Sequence, residues 1–160
     1  MGILSGITES VQLLVRRPRR FQFAALCYRL EKDQKEPEIL LLTSRGTGRW
    51  VIPKGWPMGS KPGHEVAKQE ALEEAGVVGD VESIMIGIYQ YEKAISDDFA
   101  VPCEVHVHAL KVTGTVDRFK EKGQRRVEWV APDVAARRVR EPQLKRLIRR
   151  FAERFGPAAL

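Results

Sequence analysis

The clearest hydrophobic period in the chain lies near its far end, where Leu144, Leu147, Ile148, Phe151 and Phe155 recur at helical spacing. That spacing predicts an amphipathic helix over 142–155, packed on a sheet with its arginines and lysines facing water. Upstream, the apolar positions come in shorter and denser aliphatic and aromatic runs. These predict strands over 21–30 (FQFAALCYRL), 38–43 (EILLLT), 50–52 (WVI), 81–91 (VESIMIGIYQY), 105–113 (VHVHALKVT) and 126–130 (RVEWV). The polar stretch 31–37 reads as a turn that pairs the first two strands as a hairpin. Residues 44–48 read as a loop carrying Arg45, 93–101 as an exposed loop, and 114–123 as a charged connector. Pro53 and Pro57 flank Gly55 and hold that segment out of regular structure. A helix follows over 63–75, with Pro62 suited to its first turn and Gly76 as its stop. Strands, a central helix, more strands and a terminal helix make an α+β fold with a mixed sheet between helices.

The central helix carries Glu70, Glu73 and Glu74. Residues three and four apart are neighbours on a helix, so these carboxylates share one arc and repel one another. A hard divalent cation such as Mg²⁺ or Mn²⁺, which takes oxygen ligands, resolves the conflict. Glutamates on a solvated helix face are common; the frame around these ones is the stronger signal. Gly55 precedes the helix, Gly76 ends it and Val77 opens the next apolar run.

With these spacings the segment resembles the Nudix box: Gly, five residues, Glu, seven residues, Arg-Glu, an aliphatic, any residue, Glu-Glu, any residue, Gly, aliphatic. The resemblance implies an α/β/α sandwich and a hydrolase that cleaves diphosphate linkages with Mg²⁺ (or Mn²⁺). It implies a metal site of the Gly55 carbonyl with Glu70, Glu73 and Glu74, these three glutamates also being the catalytic group. Glu70 and Glu74 would be the principal ligands, and Glu73 an outer or second-metal ligand. Two positions depart from the pattern: its first Glu is Lys61 here and its Arg is Gln69. The carboxylate–guanidinium bridge they form in the family is therefore replaced at both ends. Lys61 is left within reach of the Gln69 carbonyl or of Glu65. The aliphatic position is only Ala71.

Segments 23–29, 40–50, 123–129 and Glu141-Pro142-Gln143 look like the diphosphoinositol polyphosphate phosphohydrolase branch of the same superfamily. The substrate so implied is a diphosphoinositol polyphosphate or a dinucleoside polyphosphate. The other reading is a catalytically weak module of the same fold that binds polyphosphate or RNA. Arginine meets two phosphate oxygens at once. The candidate substrate-binding residues are Arg19, Arg20, Arg45, Arg49, Lys54, Arg125 and Arg126, on loops and strand edges able to converge on the metal site. Only Trp56 is placed to stack a base.

Composition adds bounds. In 160 residues, 43% of them hydrophobic, there is room for one domain with a core, over 21–156, between a basic extension (1–20) and a short tail (157–160). A formal net charge of +6 favours an acidic partner, whether nucleic acid, an anionic membrane or a small polyphosphate. The box favours the last, with nucleic acid and membrane set aside and a monomer or homodimer expected. Cys27 and Cys103 form no CxxC motif or disulfide framework, so reduced, buried thiols in a cytoplasmic protein are expected. Residues 1–20 contain no apolar run of signal-peptide or membrane-spanning length. His106 and His108 share one face of a strand. With no third ligand at a recognisable spacing, they read as exposed histidines and not as a zinc site.

Overall fold

Strand β1 (Arg20–Arg29) explains why the sheet needs cover on both faces. Its side chains alternate: Ala24 and Leu26 enter one buried cluster, Ala25 and Cys27 the other. Strand β2 (Glu38–Thr43) repeats this with Ile39 and Leu41 on one side and Leu40 and Leu42 on the other. A strand buried on both faces reads as a continuous apolar run, and each face then requires a helical layer.

The computed structural model describes residues 20–156 and supplies both layers. After β2 come β3 (Trp50–Val51), β4 (Lys54–Gly55), helix α1 (Gly63–Ala75), β5 (Val77–Val81), β6 (Gly87–Ser96), β7 (Phe99–Thr115) and β8 (Val127–Val130). Helices α2 (Pro132–Arg138) and α3 (Pro142–Ala152) follow, then a 3₁₀ turn, Glu153–Phe155. The strands form one eight-stranded sheet with order β3-β2-β1-β7-β5, to which β4 adds on β1, β6 on β7 and β8 on β2. Strands β1 and β7 run parallel, with Phe23 beside His106, and the other pairs are antiparallel. Helix α1 covers the front face through Ala67 and Ala71. Helices α2 and α3 cover the rear through residues such as Ala135, Ala136, Leu144, Ile148 and Phe151. The α+β sandwich with a mixed sheet is thus the observed architecture.

Helix α1 has the bounds its flanking residues set. Pro62 is its N-cap, and Gly76, at φ 68°, turns left-handed and donates its N–H to the Ala71 and Leu72 carbonyls. The first hairpin also forms, with Arg29 paired to Glu38 at 3.0 Å.

Elsewhere the structure corrects the reading. The exposed loop expected over 93–101 is the far end of a long hairpin, with β6 and β7 running out to a turn at Asp97 and Asp98. The strand expected over 81–91 is broken by an irregular stretch, 82–86, and β5 begins earlier, directly after Gly76. Strand β7 continues through Gly114 and Thr115 into the expected connector, and the proline-rich loop contains the two-residue strand β4. Helix α2 was not expected at all. The histidines do share a face, but His108 is buried, with Nδ1 2.9 Å from the Glu82 carbonyl and its ring 6.0 Å from that of His64 on α1. His106 is half-buried, 3.1 Å from Glu104. Cys27 and Cys103 are free and buried. Among the described residues no helix is long and apolar enough to cross a membrane.

Candidate active site

The carboxylates of α1 do not lie on an open helix face. Glu70 and Glu74 are only 9% and 6% exposed, and Glu73 is half-buried. The side of α1 that carries them is closed by two chain segments. One is β4: the Lys54 N–H donates to Glu74 Oε2 at 3.2 Å. At Gly55 a Cβ would stand 2.1 Å from Glu70 Oε1, so only glycine admits the carboxylate this close to the strand. The other is the segment between β7 and β8. Its Glu121 N–H donates to the Glu73 carbonyl at 2.9 Å, anchoring it over the last turns of the helix.

That second segment brings in Glu121 and Arg125. Arg125 Nη2 reaches Glu121 at 3.2 Å and Glu74 at 3.4 Å, while its Nη1 donates to the Thr43 carbonyl at 3.0 Å. Its Nε is buried without a partner. Arg45 comes from the β2–β3 loop to meet Glu121 Oε1 and Gln124 Oε1, each at 3.1 Å. The result is a cleft of about 630 Å³ with Glu70, Glu73, Glu74 and Glu121 facing Arg45, Lys54, Lys93, Lys120 and Arg125. Gly55 and Trp56 complete the lining.

Burial pushes the Glu70 carboxyl up to about 7, and repulsion from Glu73 and Glu121 adds to the rise. Burial also raises Glu74, although Arg125 and Lys54 oppose it. Lys54 is itself lowered by burial, partly offset by Glu74. Burial therefore holds Glu70 and Glu74 above the ordinary carboxylate range despite the cations around them.

At the two positions where the sequence departs from the box, a new contact stands. Lys61 Nζ donates to the Gln69 side-chain carbonyl. Lysine offers only donors, so the amide must turn its oxygen to Lys61 and its Nε2 the other way. That Nε2 donates to Glu73 Oε1 at 3.0 Å.

The seven candidate substrate-binding residues divide. Arg45, Lys54 and Arg125 line the cleft. Arg20 stands at its rim, 6.0 Å from the Trp56 ring. Arg49 faces away and pairs with buried Glu141 at 2.6 Å. Arg126 is exposed, paired with Glu128 at 3.1 Å and 5.6 Å from the Trp50 ring. Arg19 lies outside the described residues. Sequence reading missed Lys93, Lys120 and Glu121. They sat in stretches taken for an exposed loop and a charged connector; the charge density of 117–126 was a signal for Lys120 and Glu121, and Lys93 had none.

The chemistry of this donor set fits a divalent cation. Its side chains are carboxylates, the hard oxygen ligands that Mg²⁺ and Mn²⁺ take, and burial disfavours their charge while no cation is bound. As they stand, no three His, Cys, Asp or Glu side chains among the described residues form a group ready to hold an ion. Glu73 is drawn to Gln69, and Glu74 to Lys54 and Arg125.

This architecture recurs in solved structures. The C. elegans Ap4A hydrolase aligns with a TM-score of 0.61 at 15% identity, covering 87% of this chain and 100% of that one. The E. coli dihydroneopterin triphosphate pyrophosphohydrolase aligns with a TM-score of 0.62 at 14% identity, covering 86% and 99%. The fold is the Nudix fold. No protein-family model matches the chain. By sequence it is 27% identical over 117 residues to Nudix hydrolase 12, mitochondrial, of Arabidopsis thaliana, covering 71% of this chain and 58% of that protein. The chain spans 45 to 65% of the length of four curated Arabidopsis Nudix relatives. The relatives matched by sequence carry the name Nudix hydrolase, and the segment that resembles the Nudix box coincides with β4, α1 and the start of β5.

Proposed function

We propose that the protein is a pyrophosphohydrolase that uses a divalent cation to cleave a phosphoanhydride bond in a polyphosphorylated small molecule. Its substrate is a diphosphoinositol polyphosphate or a dinucleoside polyphosphate. The observation that carries this reading is the cleft in which the Glu70, Glu73 and Glu74 carboxylates face a row of lysines and arginines.

A diphosphate linkage repels an incoming hydroxide because both phosphorus centres carry negative oxygens. Mg²⁺ or Mn²⁺, when bound, would supply positive charge against this repulsion and make water a better nucleophile. Glu70 and Glu74, with Glu73 and the Gly55 carbonyl, would hold it. Arg45, Lys54, Lys93 and Lys120 take the phosphate oxygens of the substrate, and Arg20 extends that wall towards the rim. Arg125 positions Glu74 and Glu121, the carboxylates it already binds. Water oxygen bonds to one phosphorus, the bridging P–O bond breaks, and the water's proton passes to a carboxylate of the cleft.

The names of the fold neighbours, an Ap4A hydrolase and a dihydroneopterin triphosphate pyrophosphohydrolase, are in keeping with this class. The test is phosphate release from a panel of polyphosphates with Mg²⁺ or Mn²⁺. The cleft offers many cations and one rim indole, so turnover should favour substrates with more phosphates and fall with added salt. Much faster hydrolysis of a nucleoside triphosphate than of any inositol pyrophosphate or dinucleoside polyphosphate would contradict the substrate class. Tight polyphosphate binding without turnover would instead identify a binding module.

A further inference from the structure

The net positive charge of the described residues is concentrated away from the cleft. Residues 132–156, the rear helical layer, carry eight Lys and Arg against three Asp and Glu. The rest of the described chain, 20–131, holds sixteen against seventeen. The positive surplus of the described chain therefore lies on the layer opposite α1.

Part of that layer is neutralised locally. Arg138 pairs with Glu128, Arg137 with Asp133 at 3.7 Å, and Arg154 with Glu82 at 2.9 Å. Lys145 donates to the Ala136 and Arg137 carbonyls at the end of α2. Arg140, Arg146, Arg149 and Arg150 are exposed and have no ion pair among the described residues. The last three recur at helical spacing along the outer stripe of α3, whose inner side (Leu144, Leu147, Ile148 and Phe151) is buried.

Beside this stripe the 82–86 loop exposes aliphatic side chains, Ile84 at 80% and Met85 at 42%. Ile84 and Met85 share a shallow groove of about 430 Å³ with Leu147, Phe151, Arg150 and Arg154. A nucleic-acid backbone would use the arginines but has no place for projecting aliphatics. Base stacking is also unprovided for, since the two aromatic residues of 132–156 are the buried Phe151 and the half-buried Phe155. A bilayer rich in anionic phospholipid uses both features: phosphates meet the arginines and the interfacial region takes Ile84 and Met85.

We propose that the outer face of α3, with the 82–86 loop, docks the protein on an anionic lipid bilayer. The carboxylate cleft, built on α1 in the opposite layer, stays open to solution.

The test is co-sedimentation of the full chain with phosphatidylcholine vesicles, with and without phosphatidylglycerol. Binding only to the vesicles with phosphatidylglycerol, weakened by salt, is expected. The triple variant R146Q/R149Q/R150Q should lower affinity about a hundredfold, and Ile84→Ser about tenfold, both unfolding thermally like the wild type. Absence of binding by the wild type overturns the proposal. So does binding that survives in the triple variant. Equal affinity for single-stranded RNA, indifferent to Ile84→Ser, would assign the surface to nucleic acid and also overturn it.

Discussion

Glu70 sits where burial, Glu73 and Glu121 all oppose its charge, and only a glycine at position 55 lets it sit there. The acidic triad and its frame were legible in the sequence because helix period and glycine positions are local properties. Its burial was not legible, because β4 and the β7–β8 segment close the face from far along the chain. At Lys61 and Gln69 the sequence showed a lost bridge and the structure shows a relay to Glu73 in its place. Lys61→Glu removes a positive charge near the cations and frees the Gln69 amide to turn away from Glu73. Half-maximal activity should then need about threefold less Mg²⁺. Gln69→Arg alone should raise that concentration, because the guanidinium adds positive charge beside Glu73 and Lys61. The double variant restores a carboxylate–guanidinium bridge, and its effect should exceed the sum of the singles by roughly 0.5–1 kcal/mol. Identical metal requirements in all four proteins would remove the relay from the account.

Among the elements, α1 was readable to the residue because Pro62 and Gly76 set its ends chemically. Helix α2 was not, since seven residues span barely two turns and show too little period to detect. The 93–101 stretch misled for the opposite reason. Its polar residues mark one tight turn, and the strands pair through the remainder because each supplies the other's hydrogen bonds. The element that most directly positions the site is β4. In Gly55→Ala the new Cβ meets the free end of the Glu70 side chain, not backbone, so the carboxylate should swing aside while the fold holds. Turnover should fall about tenfold or more, with stability changed by less than about 1 kcal/mol. Thermal unfolding and initial rates on one preparation check this; unchanged turnover would show that the close approach has no catalytic role.

The arrangement of charge over the whole molecule was invisible in a net value of +6, because a sum carries no position. The cleft instead holds acidic groups whose proton affinity folding raises. Glu70 stands near 7, and Glu74 is also raised, against an ordinary value of 4.5. The folded state thus binds these protons more tightly than the unfolded chain. Their contribution to metal-free stability is fully present below about pH 4.5 and is lost as pH rises through about 7. With a chelator, thermal unfolding should occur at lower temperature near pH 8 than near pH 5.5. Mg²⁺ should raise it most at the higher pH, where protons no longer compete for the carboxylates. Glu70→Gln should flatten the trend and add about 1 kcal/mol to metal-free stability near pH 8. A metal-free protein that grows more stable across that range would refute this picture of the cleft.

The claim on which the rest depends is that Glu70 and Glu74 hold the cation that makes phosphoanhydride cleavage possible. Its most direct measurement is phosphate release at saturating Mg²⁺ by the wild type, Glu70→Gln and Glu74→Gln, on the substrate that the wild type turns over fastest. Each substitution removes a charged ligand while keeping the shape of the side chain, so each should cut turnover by about a hundredfold or more, with thermal unfolding still cooperative. Full turnover by both variants would contradict the assignment.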